Sequence, residues 1–393
     1  MITNDRVAIA GVGYSTTGRR LGLTSRQLAV QAGLAAMADA GMAPSDIDGS
    51  TILWGVAGPA PPGLDVAESM DVAHMLGIGP LNWWNSGAGP AYIGPAVQAV
   101  AAIRAGFCHT AISMRVIRQR MTSAEMLDAP PPGEPVLSED DSQFVMPFGS
   151  VSPLQAIAAM PAQRYMARYG ATEEHFGRHV VAQRDWATTN DDAIFRAPLT
   201  LDDYFATRYV SKPVRLLDCD YPVDSASAVI YTTEERAHDF AKRPVLVEAA
   251  SLSSIKYFTF ENLDDIVDNS PLHAAETLWS RTDLGPQDVD CAQLYDGFTI
   301  IVFQWLEALG FCGPGEAAPF IAEGHTGRGG SLPVNTDGGA CNVGRRHGAN
   351  FCIEAVRQLR GDESGDRQVP DAEVALWANA VGSFSGAMLL TRG

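Results

Sequence analysis

The sequence predicts an α/β protein made of two copies of one strand–helix unit, with a helical region inserted in the first copy. Three observations carry this. Strand-like apolar runs alternate with segments of helical period, the element order of residues 1–240 returns in residues 241–393, and a short turn sequence recurs at the same point of each copy. That turn reads Pro44-Ser45-Asp46-Ile47-Asp48 in the first copy and Pro286-Gln287-Asp288-Val289-Asp290 in the second. A proline opening a helical turn, followed by acids that suit a helix N-terminus, gives the likeness a local cause.

In the first copy, Val7-Ala8-Ile9-Ala10-Gly11-Val12-Gly13 reads as a buried strand ending in glycines. Residues 25–40 form a helix with Leu28, Ala32, Ala35 and Ala36 at helical spacing, closed by Gly41. A strand at 50–54, a small-residue helix at 95–106, a strand at 110–114 and a final strand at 226–232 complete the unit. The second copy repeats the order with a strand at 245–250, a helix at 273–280, a strand at 291–294, a helix at 350–361, and strands at 374–380 and 386–391. Two mixed sheets with helices between and outside them are expected. The insertion, about 116–213, opens with the loop chemistry of Pro130-Pro131-Pro132-Gly133 and continues as amphipathic helices at 153–169 and 173–189, placed to cap a site or cover a partner.

Of the 393 residues, 46% are hydrophobic and 19% charged, which suits a large buried core. No apolar run reaches the length of a membrane span, and Met1 to Asp5 carry no basic, apolar leader, so a soluble cytoplasmic protein is expected. The six cysteines show no C-x-x-C spacing and no cluster with histidine, which reads as reduced thiols and no metal site. A net charge of −18 with three lysines argues against a nucleic-acid partner. An anionic ligand such as coenzyme A needs a locally basic pocket, for which arginines are the available cations.

The run Asn335-Thr336-Asp337-Gly338-Gly339-Ala340-Cys341-Asn342-Val343-Gly344-Arg345-Arg346-His347-Gly348 resembles the thiolase pattern N-x-x-G-G-x-x-x-x-G-H-P-x-G. With the duplicated halves and the long insertion, the resemblance to the thiolase superfamily covers essentially the whole chain. It implies a thiolase fold, two βαβαβαββ halves packed in layers, with Gly338 and Gly339 letting the backbone approach an acyl thioester. The chemistry of thiolases is not implied. Ser86-Gly87-Ala88-Gly89 stands where the nucleophilic cysteine of C-x-S-G is expected, and Ala380-Val381-Gly382 where C-[IV]-G is expected. Arg345 replaces the catalytic histidine, and Tyr295-Asp296-Gly297-Phe298 replaces N-E-A-F. Claisen chemistry through an acyl-cysteine is therefore not expected.

Tyr295 to Thr299, the run Trp305 to Glu316, Leu216-Leu217-Asp218-Cys219 and Asp224-x-Ala226-x-Ala228-Val229 together resemble the lipid-transfer-protein (sterol-carrier-protein-x) branch, which includes aldolases that shorten steroid side chains. The resemblance implies retro-aldol cleavage of a β-hydroxyacyl-CoA ester to a ketone and a short acyl-CoA such as propionyl-CoA or acetyl-CoA, with Tyr295 catalytic. It implies no cofactor beyond the coenzyme A of the substrate. It also implies a homodimer paired through a strand near 110–114 and a small zinc-ribbon/OB-fold partner protein, a heterotetramer in all. The branch carries a second tyrosine in a Y-x-H-G pattern; here Arg345 stands in its place and His347-Gly348 remain.

Such a cleavage needs a base for the hydroxyl, a holder for the enolate oxygen and an acid for the enolate carbon. A free phenol has a pKa of about 10, so Arg345 is expected to favour the Tyr295 phenolate, or else to hold the enolate oxygen. His347 is the second candidate proton carrier. Ser86, Asp296, Gly338, Gly339, Arg346 and Gly382 are expected to contact substrate. Plainer readings stand beside these: Tyr295 as a strand-end aromatic, Asp296 as a partner for a loop amide, Arg345 and Arg346 as phosphate binders only, Ser86 as a turn residue, and His109 and His179 as ordinary surface or helix positions. Two other functions stay open, a thiolase-like acyltransferase using Ser86 on a β-ketoacyl-CoA and a non-catalytic acyl-CoA-binding subunit.

Overall fold

A computed structural model describes residues 6–54, 67–86, 91–118, 154–254, 271–363, 365–381 and 384–393. The strands are β1 (Val7–Tyr14), β2 (Gly49–Trp54), β3 (Trp83–Ser86), β4 (Thr110–Ile117), β5 (Tyr209–Ser211), β6 (Val214–Arg215), β7 (Ser225–Thr233), β8 (Val245–Ser254), β9 (Cys291–Leu294), β10 (Val374–Val381) and β11 (Phe384–Arg392). The helices are α1 (Ser25–Ala40), α2 (Ser69–Met75), α3 (Ile93–Arg104), α4 (Met160–Tyr169), α5 (Glu173–Ala187), α6 (Leu201–Ala206), α7 (Glu234–Ala237), α8 (Leu272–Trp279), α9 (Thr299–Ala308), α10 (Ala317–Ala322), α11 (Ala340–Val343) and α12 (Ala349–Arg360).

The duplication is visible in the pairing. Within residues 7–233 the strand order is β3-β2-β4-β7-β1, and within residues 245–392 it is β8-β11-β10-β9. In both copies a parallel pair (β2 with β4, β9 with β10) is followed toward the middle of the sheet by two antiparallel pairs. The two sheets expected from the sequence are not separate: β1 and β8, the first strand of each copy, pair antiparallel at Val7–Val247, Ala8–Leu246 and Ile9–Val245, giving one nine-stranded sheet. Equivalent strands with the same exposed backbone edge can pair across a pseudo-twofold, so both edges are satisfied at once.

Local sequence explains the elements. Thr24 caps α1 by accepting from the Gln27 N–H at 3.1 Å while the Gln27 side chain accepts from the Thr24 N–H at 2.8 Å, and Gly41 ends the helix at φ 68°. The glycines of β1 permit contact: a Cβ at Gly13 would lie 2.4 Å from the Ala36 nitrogen, so α1 lies directly on the strand. Three large apolar clusters result. One joins α1 and α2 to the outer face of the first copy, one joins α4, α5, α8 and α9 to the outer face of the second, and the third, around α3 and α12, is shared.

Two expectations change here. The strand near 110–114 does not offer a pairing edge, because β4 is buried along its whole length between β2 and β7. The terminal strand of the first copy is β3, where Trp84 is 52% exposed. Much of the insertion falls at 119–153, outside the described residues; its later part contains α4 and α5. No helix among the described residues is long and apolar enough to cross a membrane.

Candidate active site

The parallel strands fix the location. Backbone polarity and the crossovers place functional groups at the carboxyl ends of such strands, and β4, β9 and β10 all end toward one region between the two copies. Arg115 lies near the end of β4, Tyr295 follows β9 directly, and Asn379 lies near the end of β10. Facing them is the glycine-rich loop that links residue 335 to α12.

The loop is held as an extension of the sheet. Asn335, at φ 50°, accepts from the Leu294 N–H at 2.6 Å and donates to the Leu294 carbonyl at 2.8 Å, as a neighbouring strand would. Gly338 and Gly339 follow at φ 103° and 75°. A Cβ at Gly339 would lie 2.0 Å from Gln183 Oε1 and 2.1 Å from Asp296 Oδ2, so only glycine fits where α5 of the insertion presses on the loop. Asp296 is buried, and both its carboxylate oxygens accept from the Ala340 N–H, at 3.0 and 3.1 Å. This is the loop-amide partnership that the sequence left open beside substrate contact. Burial holds the Asp296 carboxyl well above its usual range, the Ala340 N–H notwithstanding.

Tyr295 is half-buried, with its ring edge-on to Phe351 at 6.4 Å between centroids. Arg345 lies in the same cluster and pairs with Asp220, Nε to Oδ2 at 3.6 Å. Arg345 acts on the phenol in the expected direction, but its effect does not prevail. Burial pushes the Tyr295 phenol up, Asp220 pushes it further, and Arg345 and Arg115 pull it down only in part. The resting phenol is therefore protonated at neutral pH. Asp220 raises the Arg345 pKa, so the guanidinium stays charged.

His347 departs from its expectation. Its Nδ1 lies 2.7 Å from Arg115 Nη2, and burial, Arg115 and Arg345 together hold the imidazole well below its usual pKa. A ring kept neutral between two guanidiniums does not carry protons by titrating near neutral pH. Arg346 is 3% exposed and stacks on the Tyr14 ring at 4.0 Å, which gives this arginine a packing role in the shared core. Ser86 ends β3 at the surface and donates to Glu68 Oε2 at 2.6 Å, a carboxylate and not an imidazole. Gly382 lies outside the described residues.

Two members of the cluster, Arg115 and Asp220, were missed from the sequence. Arg115 had a readable signal, a lone charge inside the apolar strand Thr110–Ile117. Asp220 had a weaker one, as the second acid of Asp218-Cys219-Asp220.

Residues 253–391 match the family described as thiolase C-terminal domain-like. The chain is 35% identical over 379 residues to the 17-hydroxy-3-oxo-4-pregnene-20-carboxyl-CoA lyase of Mycobacterium tuberculosis (strain ATCC 25618 / H37Rv), covering 91% of this chain and 92% of that protein. The chain belongs to the thiolase superfamily, in the branch of the side-chain-cleaving aldolases. It is also 36% identical over 367 residues to the steroid side-chain-cleaving aldolase of Thermomonospora curvata, covering 90% of each. Its structure matches that of the Ltp2-ChsH2(DUF35) aldolase with a TM-score of 0.87 at 34% identity, covering 100% of this chain and 99% of that one.

This member of the superfamily has no activated thiol. All six cysteines are free, and burial raises the pKa of each, to about 12 for Cys108, Cys312 and Cys352 and likewise well up for Cys219, Cys291 and Cys341. Trp305 is fully buried in the core beneath α9, so it packs the scaffold and does not line a cleft.

Proposed function

We propose that this chain is a carbon–carbon lyase that cleaves a β-hydroxyacyl-CoA ester with a bulky ring, a steroid side-chain thioester, to a ketone and a short acyl-CoA such as propionyl-CoA or acetyl-CoA. The observation that carries the reading is Tyr295, set at the end of β9 under the charges of Asp220, Arg345 and Arg115 in a site whose thiols are all held protonated. The names of the two curated relatives support the substrate class.

In this scheme the phenolate of Tyr295 takes the proton of the substrate's β-hydroxyl. The oxygen's electron pair forms the ketone, the Cα–Cβ bond breaks, and its pair passes into the thioester as an enolate. Arg345 holds the growing negative charge, and the phenol returns its proton to Cα. Every bond and proton is balanced with no cofactor beyond the coenzyme A that the substrate carries. The Gly338–Gly339 backbone is proposed to meet the thioester on the side away from α5, and Ser86 and Gly382 remain its proposed contacts.

The assembly is proposed as a homodimer joined by a small DUF35-type partner. The terminal strand β3 with exposed Trp84 supports the first, and the two-component name of the solved relative supports the second. Six free thiols support a cytoplasmic location. The test is product analysis by mass spectrometry with the partner present. A β-hydroxyacyl-CoA with a ring at Cβ is expected to yield ketone and acyl-CoA without consuming free coenzyme A. Thiolysis of a β-ketoacyl-CoA instead would refute the reading.

A further inference from the structure

Arg115 is 5% exposed, and among the described residues no carboxylate lies within ion-pair distance of it. Its Nη1 donates to the carbonyls of Leu53 at 3.0 Å and Val116 at 2.8 Å, its Nη2 reaches His347 Nδ1 at 2.7 Å, and its buried Nε has no partner. Burial pulls its pKa down to about 9, which leaves it charged at neutral pH. A buried cation that spends its donors on two carbonyls and an imidazole is costly unless the charge is used.

A guanidinium only donates hydrogen bonds, so His347 Nδ1 must be the acceptor. A neutral imidazole with its Nδ1 lone pair so engaged carries its one N–H on Nε2. The ring's backbone is fixed as well. His347 sits at φ 50°, and its carbonyl accepts from the Tyr92 N–H at 3.1 Å and from Asn379 Nδ2 at 3.3 Å, one partner from each copy of the repeat.

We propose that Arg115 is a positioning residue for His347: its guanidinium pins the neutral ring with the proton on Nε2, and that N–H is the donor that holds the thioester oxygen as it becomes the enolate oxygen. The inference rests on the aldol reading of the site. No proton leaves Nε2 during the reaction; the electron pair released by the Cα–Cβ bond collects on an oxygen already facing a fixed donor. The Arg115 charge behind the ring polarises that N–H, which strengthens it as a donor without making it an acid. Tyr295 and Arg345 are left to handle the proton and the remaining charge.

The tautomer can be read without substrate. In 15N-histidine-labelled protein, the His347 signals, assigned by their loss in His347→Gln, are expected to show a neutral ring protonated on Nε2. In Arg115→Met they are expected to shift to mixed tautomers. Kinetically, Arg115→Met is expected to lower kcat about a hundredfold with KM changed less than about threefold. Arg115→Lys, which keeps the charge, is expected to recover part of the loss. Should Arg115→Met fail to fold, His347→Leu is expected to give the same hundredfold fall, while His347→Gln, which keeps an N–H donor, falls less. A proton on Nδ1 in the wild type, or full kcat in Arg115→Met or His347→Leu, overturns the proposal. If the wild type shows the Nε2 tautomer yet cleaves no β-hydroxyacyl-CoA, the aldol reading and the enolate role fall together, and the pinning by Arg115 stands.

Discussion

Arg345 Nε lies 3.6 Å from Asp220 Oδ2, and this one pair sets opposing charges beside the Tyr295 phenol. Asp220 is buried, so removing its cation leaves a carboxylate with little solvent to replace it. Arg345→Gln is expected to destabilise the fold by about 1 to 3 kcal/mol in denaturant unfolding and to lower kcat by about a hundredfold. A variant as stable and as active as the wild type would show that the pair serves neither role.

The same pair predicts a pH profile. Burial and Asp220 raise the Tyr295 pKa above that of a free phenol, so the phenolate fraction grows throughout the accessible alkaline range. The chemical step should therefore quicken about tenfold between pH 7 and pH 8, below the range in which Arg115 loses its charge. Asp220→Asn removes a charge that raises the phenol and should displace the profile to lower pH. Arg345→Gln removes one that lowers it and should displace the profile upward. Shifts of the same sign in both variants would contradict the assignment.

Gly339 and Gly361 separate crowding from backbone preference. Both lie at positive φ, 75° and 73°, but a Cβ at Gly339 meets Gln183 and Asp296, whereas at Gly361 nothing lies within 4 Å. Gly361→Ala is expected to cost about 1 kcal/mol, and Gly339→Ala more than about 3 kcal/mol with loss of activity. Equal costs in thermal unfolding would mean that α5 does not brace the loop.

The fold was legible because the repeat is local. The β1 strand, the capped helix α1 and the paired proline turns each announce themselves within a few residues, and the second copy repeats them. The union of the two half-sheets through β1 and β8 was not legible, since edge-to-edge pairing of equivalent strands leaves no separate mark on either sequence. In the site, Tyr295 came from one motif and Arg345 and His347 from the departures of a second, and the structure brings all three into one cluster. Their protonation was not readable: burial, which dominates at Tyr295 and His347, is a property of what the rest of the chain packs around them. Arg115 reaches His347 across 232 positions of sequence, a contact that no local pattern encodes.

His179 offers a test of burial alone. It is 2% exposed on α5, not at the surface, both ring nitrogens lack partners, and burial depresses its pKa to about 3. A folded-state value below the unfolded value of about 6.5 means that the stability gained by keeping the ring neutral is present above pH 6.5 and is lost as pH falls toward 3. Between pH 7.5 and 5, wild type should lose about 2 kcal/mol relative to His179→Leu. Parallel stability curves for the two proteins would contradict this.

In the proposed reaction, carbon–carbon bond breaking runs through a phenol and held charge, with no acyl group passing to the protein. Intact-protein mass spectrometry on quenched reactions, sampled while ketone is forming, tests it most directly. An unmodified chain mass is expected at every time point as ketone and acyl-CoA accumulate. An acyl adduct that forms and decays at the rate of turnover, on Ser86, Cys341 or any other side chain, would contradict it.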